Sequence, residues 1–349
     1  MTSKQIVQAQ LLNLSRIFLS FLFFVNMGSL SAIATTSLEH RFGFSVAFTM
    51  PTLAFAIGSC IVFHTRKIYK VTPPKGSVII HAIGVLWLVS RKGWDFESAK
   101  SSTEELNVHG RAFEWDNEFV DEVRQAVQAS RLFVYFPIFW TAYSQMLTNF
   151  VSQAATMETH GIPNDILTMI DPLAIMFFIP ILDRIVFPWF RRLGIPLSVT
   201  TRITCGFVLC SGAMAYAAMV QKAIYASPPC FSFPRALECM DGKVPNEVHI
   251  LVQIPGYVLL ALSEILISVT GLEHAYTNAP QSMRSLIMSL FISTYAVGSL
   301  LALAITPFTF DPNIVNVYSF LSLITFVVGL LFWFINRHFE DAMRRHASI

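Results

Sequence analysis

The chain has 349 residues, of which 54% are hydrophobic and 13% charged, with 31 Phe and a formal net charge of +2. A soluble domain carries about 25% charged residues, so this composition, with a mean hydropathy of +0.56, places the chain in a membrane. The small net charge and the lack of a long Lys/Arg block exclude a nucleic-acid partner. Five Cys are too few for a disulfide framework.

A bilayer core of about 30 Å requires about 20 mostly apolar helical residues, and eight segments meet or closely approach that length. None has the short alternating pattern of a membrane β-barrel strand, so the expected fold class is an all-α integral membrane bundle. The first segment, 17–34, follows Arg16 and ends in Ser31-Ala32-Ile33-Ala34. A signal peptide carries its charge earlier and a shorter apolar run, so this segment reads as an uncleaved helix. The second, 44–63, completes a region of two helices over 1–64. Residues 65–130 form a polar linker. Within it, 78–89 is apolar but too short to span, and is expected to lie along the membrane surface. The stretch from Trp115 to Arg124 has the spacing of a charged amphipathic helix leading into the third span. Segments 132–155, 166–181, 203–220, 250–272, 286–308 and 315–335 then make a six-helix bundle over 131–336, followed by a tail at 337–349.

Translocation leaves Lys and Arg on the cytoplasmic side. With the N-terminus inside, twenty of the 24 Lys and Arg fall in cytoplasmic segments and four in outer loops. Both termini are therefore expected in the cytoplasm of a multi-pass protein, with the plasma membrane the default compartment.

An ionisable side chain at the middle of a membrane helix costs about 2.5–3.5 kcal/mol on insertion scales, and two stand out. Glu264 lies in the otherwise uncharged segment 250–272 and reads as cavity-facing, a structural ion pair being the alternative. Asp171, directly before Pro172, either faces a cavity or caps its helix start. Asn26 stands beside Gly28 and Ser29, a cluster that can equally serve close helix packing. After Trp140 and Tyr143, Gln145 and Asn149 are four apart and share a helix face, which either lines a pore or packs. Pro51, Pro137, Pro172, Pro180 and Pro255 fall inside predicted spans, as in transporters built from kinked helices. No metalloprotease, phosphate-loop or hydrolase motif is present, so an enzyme and a metal site are not expected. His274 reads as a surface residue and Cys60, Cys205 and Cys210 as core thiols. Cys230 and Cys239 share an outer loop, where a disulfide can form.

Several of these stretches resemble one family. Phe24-Val25-Asn26-Met27-Gly28-Ser29-Leu30 is similar to the Phe-Tyr-x-x-Ile-Asn-x-Gly-Ser-Leu signature of the proton-dependent oligopeptide transporters. Pro73-Pro74-Lys75-Gly76-Ser77, Phe139-Trp140-Thr141-Ala142-Tyr143-Ser144-Gln145-Met146, Gly161-Ile162-Pro163-Asn164-Asp165 and Asp171-Pro172-Leu173-Ala174 follow in the family's order. So do Gln253-Ile254-Pro255-Gly256-Tyr257, Leu262-Ser263-Glu264 and the run from Gly271 to Pro280. The likeness covers nearly the whole chain and is closest to fungal peptide transporters.

The resemblance implies a major-facilitator-type bundle whose eight helices match the fifth to twelfth of a twelve-helix transporter. It implies uptake of di- and tripeptides driven by the proton, with no other cofactor and with the bilayer as the remaining partner. Glu264 is implied in proton coupling and in holding the peptide amino terminus. Asn26, Asp171, Trp140, Tyr143, Gln145 and Phe291 are implied in lining the peptide cavity. Phe291 stands where Trp is frequent, Tyr295 where Asn is frequent, and Asp171 where bacterial members often have Asn. The family's Glu-x-x-Glu-Arg-Phe motif on helix one and its Lys on helix four have no match here. Alternating access requires two bundles around a central site, so the expectation is a symporter fragment, inactive without four further helices. A short non-transporting product that serves as a binding or regulatory partner, or is a remnant, is an alternative. So is a carrier of another small solute such as nitrate.

Overall fold

The computed structural model describes residues 3–69, 78–100, 115–161, 164–194, 197–242 and 244–346. Its helices in chain order are α1 (Ser3–Ser29), α2 (Ser31–Phe42), α3 (Phe44–Thr65), α4 (Val78–Arg91), α5 (Asn117–Ser130), α6 (Phe136–Tyr143) and α7 (Asn149–Ala154), then α8 (Ile170–Ile181), α9 (Phe187–Arg192), α10 (Val199–Ala226), α11 (Ile254–Glu264), α12 (Thr270–Asn278), α13 (Arg284–Ile305) and α14 (Ile314–His346). Two short strands, β1 (Met157–Glu158) and β2 (Asn246–His249), pair in parallel. The expected motif at 73–77, and Ile162 and Pro163, lie outside the described residues.

Among the described residues seven helical stretches are long and apolar enough to cross a bilayer: Asn13–Glu39, Phe44–Thr65, Ile166–Arg192, Val199–Ala226, Ile250–Asn278, Arg284–Phe308 and Ile314–Arg337. The remaining expected span, 132–155, is a broken helix. A 3-10 turn (Arg131–Tyr135) precedes α6, and another (Ser144–Leu147) separates α6 from α7. The cause is local. Thr148 leaves the helical region at φ −121°, ψ −81°, while Asn149 donates to the Gln145 side chain, which itself donates to the carbonyl of Thr141, competing with the helical ladder. Two long spans also contain a π-helical turn. Leu182–Val186 joins α8 to α9, and Ile265–Val269 joins α11 to α12.

The prolines divide into two groups. Pro137 and Pro255 stand in the first turns of α6 and α11, where the missing N–H has no intrahelical partner to lose. Pro172 likewise falls in the first turn of α8, whereas Pro51 and Pro180 lie inside α3 and α8. Only the last two are interior prolines of the kind expected for kinks.

The chain forms two compact units. The first comprises Met1–Ile33, Leu132–Glu273 and Ile292–Ile349. Its core is aromatic: Phe136, Phe139, Phe207 and Phe332 are all buried and meet in edge-on and stacked contacts, with Phe139 and Phe207 centroids 5.7 Å apart. Gly206 on α10 lets the helices approach closely, since a Cβ there would overlap Ile267 and press on the carbonyl of Ser263. Ser211 and Ser322 exchange hydroxyl-to-carbonyl hydrogen bonds between α10 and α14. At one end of α10, the wholly buried Asn246 bonds Ile224, Phe231 and Cys230. It thereby orders the loop in which Cys230 and Cys239 form a disulfide, their Cα atoms 5.7 Å apart.

The second unit comprises Ala34–Arg131 and His274–Phe291. The Asp116 carboxylate caps α5 by accepting from the Phe119 N–H at 2.8 Å, which starts the helix after Trp115. Lys100 pairs with Asp121 at 2.8 Å and with Glu97 at 3.2 Å. Helix α5 is tied to the turn after α12 by Gln125 donating to the Asn278 carbonyl and Ser282 donating to Glu122. His274, expected as a plain surface residue, is half-buried. Its Nε2 lies 3.1 Å from the Ala129 carbonyl and its Nδ1 2.9 Å from the Asn278 amide. Helix α4 turns Ile79, Ile80, Ile83 and Trp87 outward. Of the expected core thiols only Cys210 is buried; Cys60 and Cys205 are exposed. Cys60 lies on α3, where Ala47 alone is buried.

Candidate functional site

The two ionisable residues singled out in predicted spans converge on one hydroxyl. Tyr143 ends α6, Asp171 lies in the first turn of α8, and Glu264 ends α11. The Tyr143 hydroxyl is 2.5 Å from Glu264 Oε2 and 3.2 Å from Asp171 Oδ2. Asp171 and Tyr143 are buried and Glu264 is half-buried. Asp171 stands inside the first turn of α8, whose N-cap is Met169; its Oδ2 meets Tyr143 and its Oδ1 has no partner, so its carboxylate serves the cluster rather than the helix start. No Lys, Arg or His lies within ion-pair distance of either carboxylate among the described residues. The structural ion pair considered for Glu264 is therefore absent there. The cluster is a concentration of acidic oxygen without a cation, matched chemically to a positively charged group or a proton.

Trp140 extends the cluster. Its ring lies edge-on to Tyr143 at 5.6 Å and to Tyr295 at 5.2 Å, and its indole N–H donates to the Thr294 hydroxyl at 3.0 Å. Gly298, one helical turn further along α13, makes room for this packing, because a Cβ there would overlap the Trp140 Cβ.

The family profile described as POT family matches residues 1–321. The chain belongs to the POT family. It is 41% identical over 343 residues to the peptide transporter PTR_A of Candidozyma auris, covering 97% of this chain and 57% of that protein. It is 40% identical over 331 residues to the peptide transporter PTR2 of Saccharomyces cerevisiae, covering 95% of this chain and 53% of that protein. The chain thus spans little more than half the length of these curated relatives. Among solved structures, an auto-inhibited POT family peptide transporter matches with a TM-score of 0.67 at 22% identity, over 97% of this chain and 72% of its own. A proton-dependent oligopeptide family transporter matches at 0.58 and 21%, over 95% and 72%. The fold is that of POT transporters, of the major-facilitator type.

Not every residue that the POT resemblance implied joins the cluster. Gln145 is buried but directs its amide to the Thr141 carbonyl and its oxygen to Asn149, at 2.5 Å. It stabilises the broken helix. Asn26 is buried and donates to Leu22 of its own helix at 2.9 Å. Phe291 is buried and falls in the second unit.

Sequence reasoning passed over two buried polar arrangements outside the cluster. Arg202 at the start of α10 pairs with Glu273 on α12 at 3.0 Å, with side chains only 13% and 11% exposed. Glu273 stood in a POT motif, but nothing in the sequence named its partner 71 residues away. A buried amide ladder also runs from Gln253 to Gln153 at 2.8 Å and on to Gln221 at 2.7 Å. Its signal, a Gln in each of three apolar stretches, was present and unread. No cluster of His, Cys, Asp and Glu able to hold a metal occurs among the described residues.

Proposed function

We propose that the chain works within a proton-coupled symporter of di- and tripeptides. In this reading residues 1–64 are the end of a first bundle, 65–130 a cytoplasmic linker and 131–336 a complete second bundle. Both termini are cytoplasmic and the membrane is the plasma membrane. The observation that carries the reading is the pair of carboxylates meeting on Tyr143, with no cation of the described residues beside them. A peptide brings an ammonium group to complement such a pair, and a proton complements it in the peptide's absence. Glu264 holds the peptide amino terminus and exchanges the proton. Asp171, Tyr143 and Trp140 shape the cavity around it. Peptide transport by the named relatives supports the substrate class. Because rocker-type access uses two bundles, uptake is to be measured with a complementary bundle supplied.

The test is dipeptide binding to the purified chain, followed by acid-stimulated uptake in transporter-null cells when the chain is joined to four complementary helices. Glu264→Gln is expected to abolish both. Undiminished binding in that variant, or nitrate displacing the dipeptide, refutes the reading.

A further inference from the structure

Hydrogen counting at Tyr143 points to a role for Asp171 that a cavity-lining residue would not have. A phenol carries one hydrogen, yet the Tyr143 oxygen lies within hydrogen-bond distance of two carboxyl oxygens. Were Asp171 and Glu264 both ionised, one of the two contacts would set lone pair against lone pair. Asp171 Oδ1, which is buried and has no partner, would also be an unsolvated carboxylate oxygen, the costliest kind of buried group.

One additional hydrogen removes both difficulties. Placed on Asp171 Oδ2 it is donated to the Tyr143 oxygen at 3.2 Å, while Tyr143 donates its own to Glu264 Oε2 at 2.5 Å. The shorter distance is the one expected where the acceptor is ionised. Asp171 Oδ1 then becomes the carbonyl of a neutral acid.

Among the described residues no other charge substitutes for that hydrogen. On the elements packed against α8 and α11, Arg16 pairs with Asp183 at 3.6 Å and Arg202 with Glu273 at 3.0 Å. The Tyr216 hydroxyl is engaged with the Val252 carbonyl, and the Tyr225 hydroxyl with Asp311. Lys222 is exposed, and Cys205 and Cys210 on α10 bring no positive charge.

We infer that Asp171 and Glu264 hold a single proton in common, handed between them through the Tyr143 hydroxyl. The inference deepens the reading of Glu264 given above and rests on it for the proton's use in transport. The transfer balances. The Asp171 O–H bond breaks as its hydrogen joins the Tyr143 oxygen, and the Tyr143 O–H bond breaks as its hydrogen joins Glu264. The phenol stays neutral and one proton has moved from α8 to α11. Asp171 is in this sense a second proton-carrying residue, a part that Asn at the same position could not take.

Infrared spectroscopy of the purified chain tests this without transport. The expected spectrum at neutral pH contains one carbonyl stretch of a protonated carboxyl, sensitive to deuterium exchange. That band should move or vanish in each of Asp171→Asn, Glu264→Gln and Tyr143→Phe, since all three groups define one hydrogen's environment. Absence of the band, or a band unmoved by Asp171→Asn or by Glu264→Gln, overturns the inference. Tyr143→Phe preserves volume and keeps the question answerable where a carboxyl variant fails to fold. The transport reading fails separately, through undiminished dipeptide binding by Glu264→Gln.

Discussion

The Arg202–Glu273 pair offers a quantitative test of the packing between α10 and α12. The perturbation is Arg202→Met and Glu273→Met, singly and together. At 3.0 Å and an effective permittivity of about 20, the attraction amounts to about 5 kcal/mol. Desolvation of the two groups, only 13% and 11% exposed, offsets most of it. Removing Glu273 leaves the Arg202 guanidinium almost fully buried without its carboxylate, a loss of about 3–5 kcal/mol. Replacing both with Met removes the buried charge altogether, so the double variant should recover most of the stability lost by either single one. Denaturation of the purified chain in micelles, followed by tryptophan fluorescence, measures all four species. Single variants losing under about 1 kcal/mol, or a double variant as unstable as the sum of the singles, would refute the reasoning.

Gly298→Ala should lose about 1–3 kcal/mol, because its Cβ would press on the Pro137 carbonyl at 2.9 Å and the Thr141 nitrogen at 3.0 Å. Gly212→Ala, with nothing within 4 Å, is the matched control and should be neutral or stabilising in the same thermal assay. Reducing the Cys230–Cys239 bond, whose separation is 9 residues, removes about 2.5 kcal/mol of chain-entropy stabilisation from that loop. Protease cleavage between the two Cys should then accelerate while α10 and α14 stay protected. The Lys100 pKa is raised above its ordinary 10.5 by hydrogen bonds to Asp121 and Glu97. A raised pKa in the folded state stabilises below the unfolded value and is lost as pH climbs through the folded one. The anchoring of α5 should therefore weaken only above about pH 10.5, earlier in Asp121→Asn, as read by limited proteolysis of the linker.

The membrane class and the positions of the long helices were legible because hydrophobic run length is a strong, local signal. Glu264 and Asp171 were legible for a related reason: a carboxyl in a long apolar segment is conspicuous whatever it contacts. What periodicity could not supply was their meeting on Tyr143, which depends on three helices converging. The interruption of α6 and α7 was equally hidden. Hydropathy averages over Gln145 and Asn149, whereas the break comes from where their amides bond. Phe291 and Gln145 illustrate the converse. Motif position marked them, but the fold directs one to another unit and the other to its own helix.

The π-turn at Ile265–Val269 gives one helix a place to take up slack. A π-turn is an α-helix widened to hold a single surplus residue, so the α-helical stretches on either side keep about the register of an unbroken helix. Glu264 is held at one end by Tyr143 and Glu273 at the other by Arg202. Losing one of the five residues would close the turn into ordinary helix and leave both carboxylates near their present azimuths. Losing a residue between Thr270 and Glu273 would instead turn one against the other by about 100°. The stretch is thus a joint at which chain length can change without uncoupling the acidic cluster from the far end of its helix.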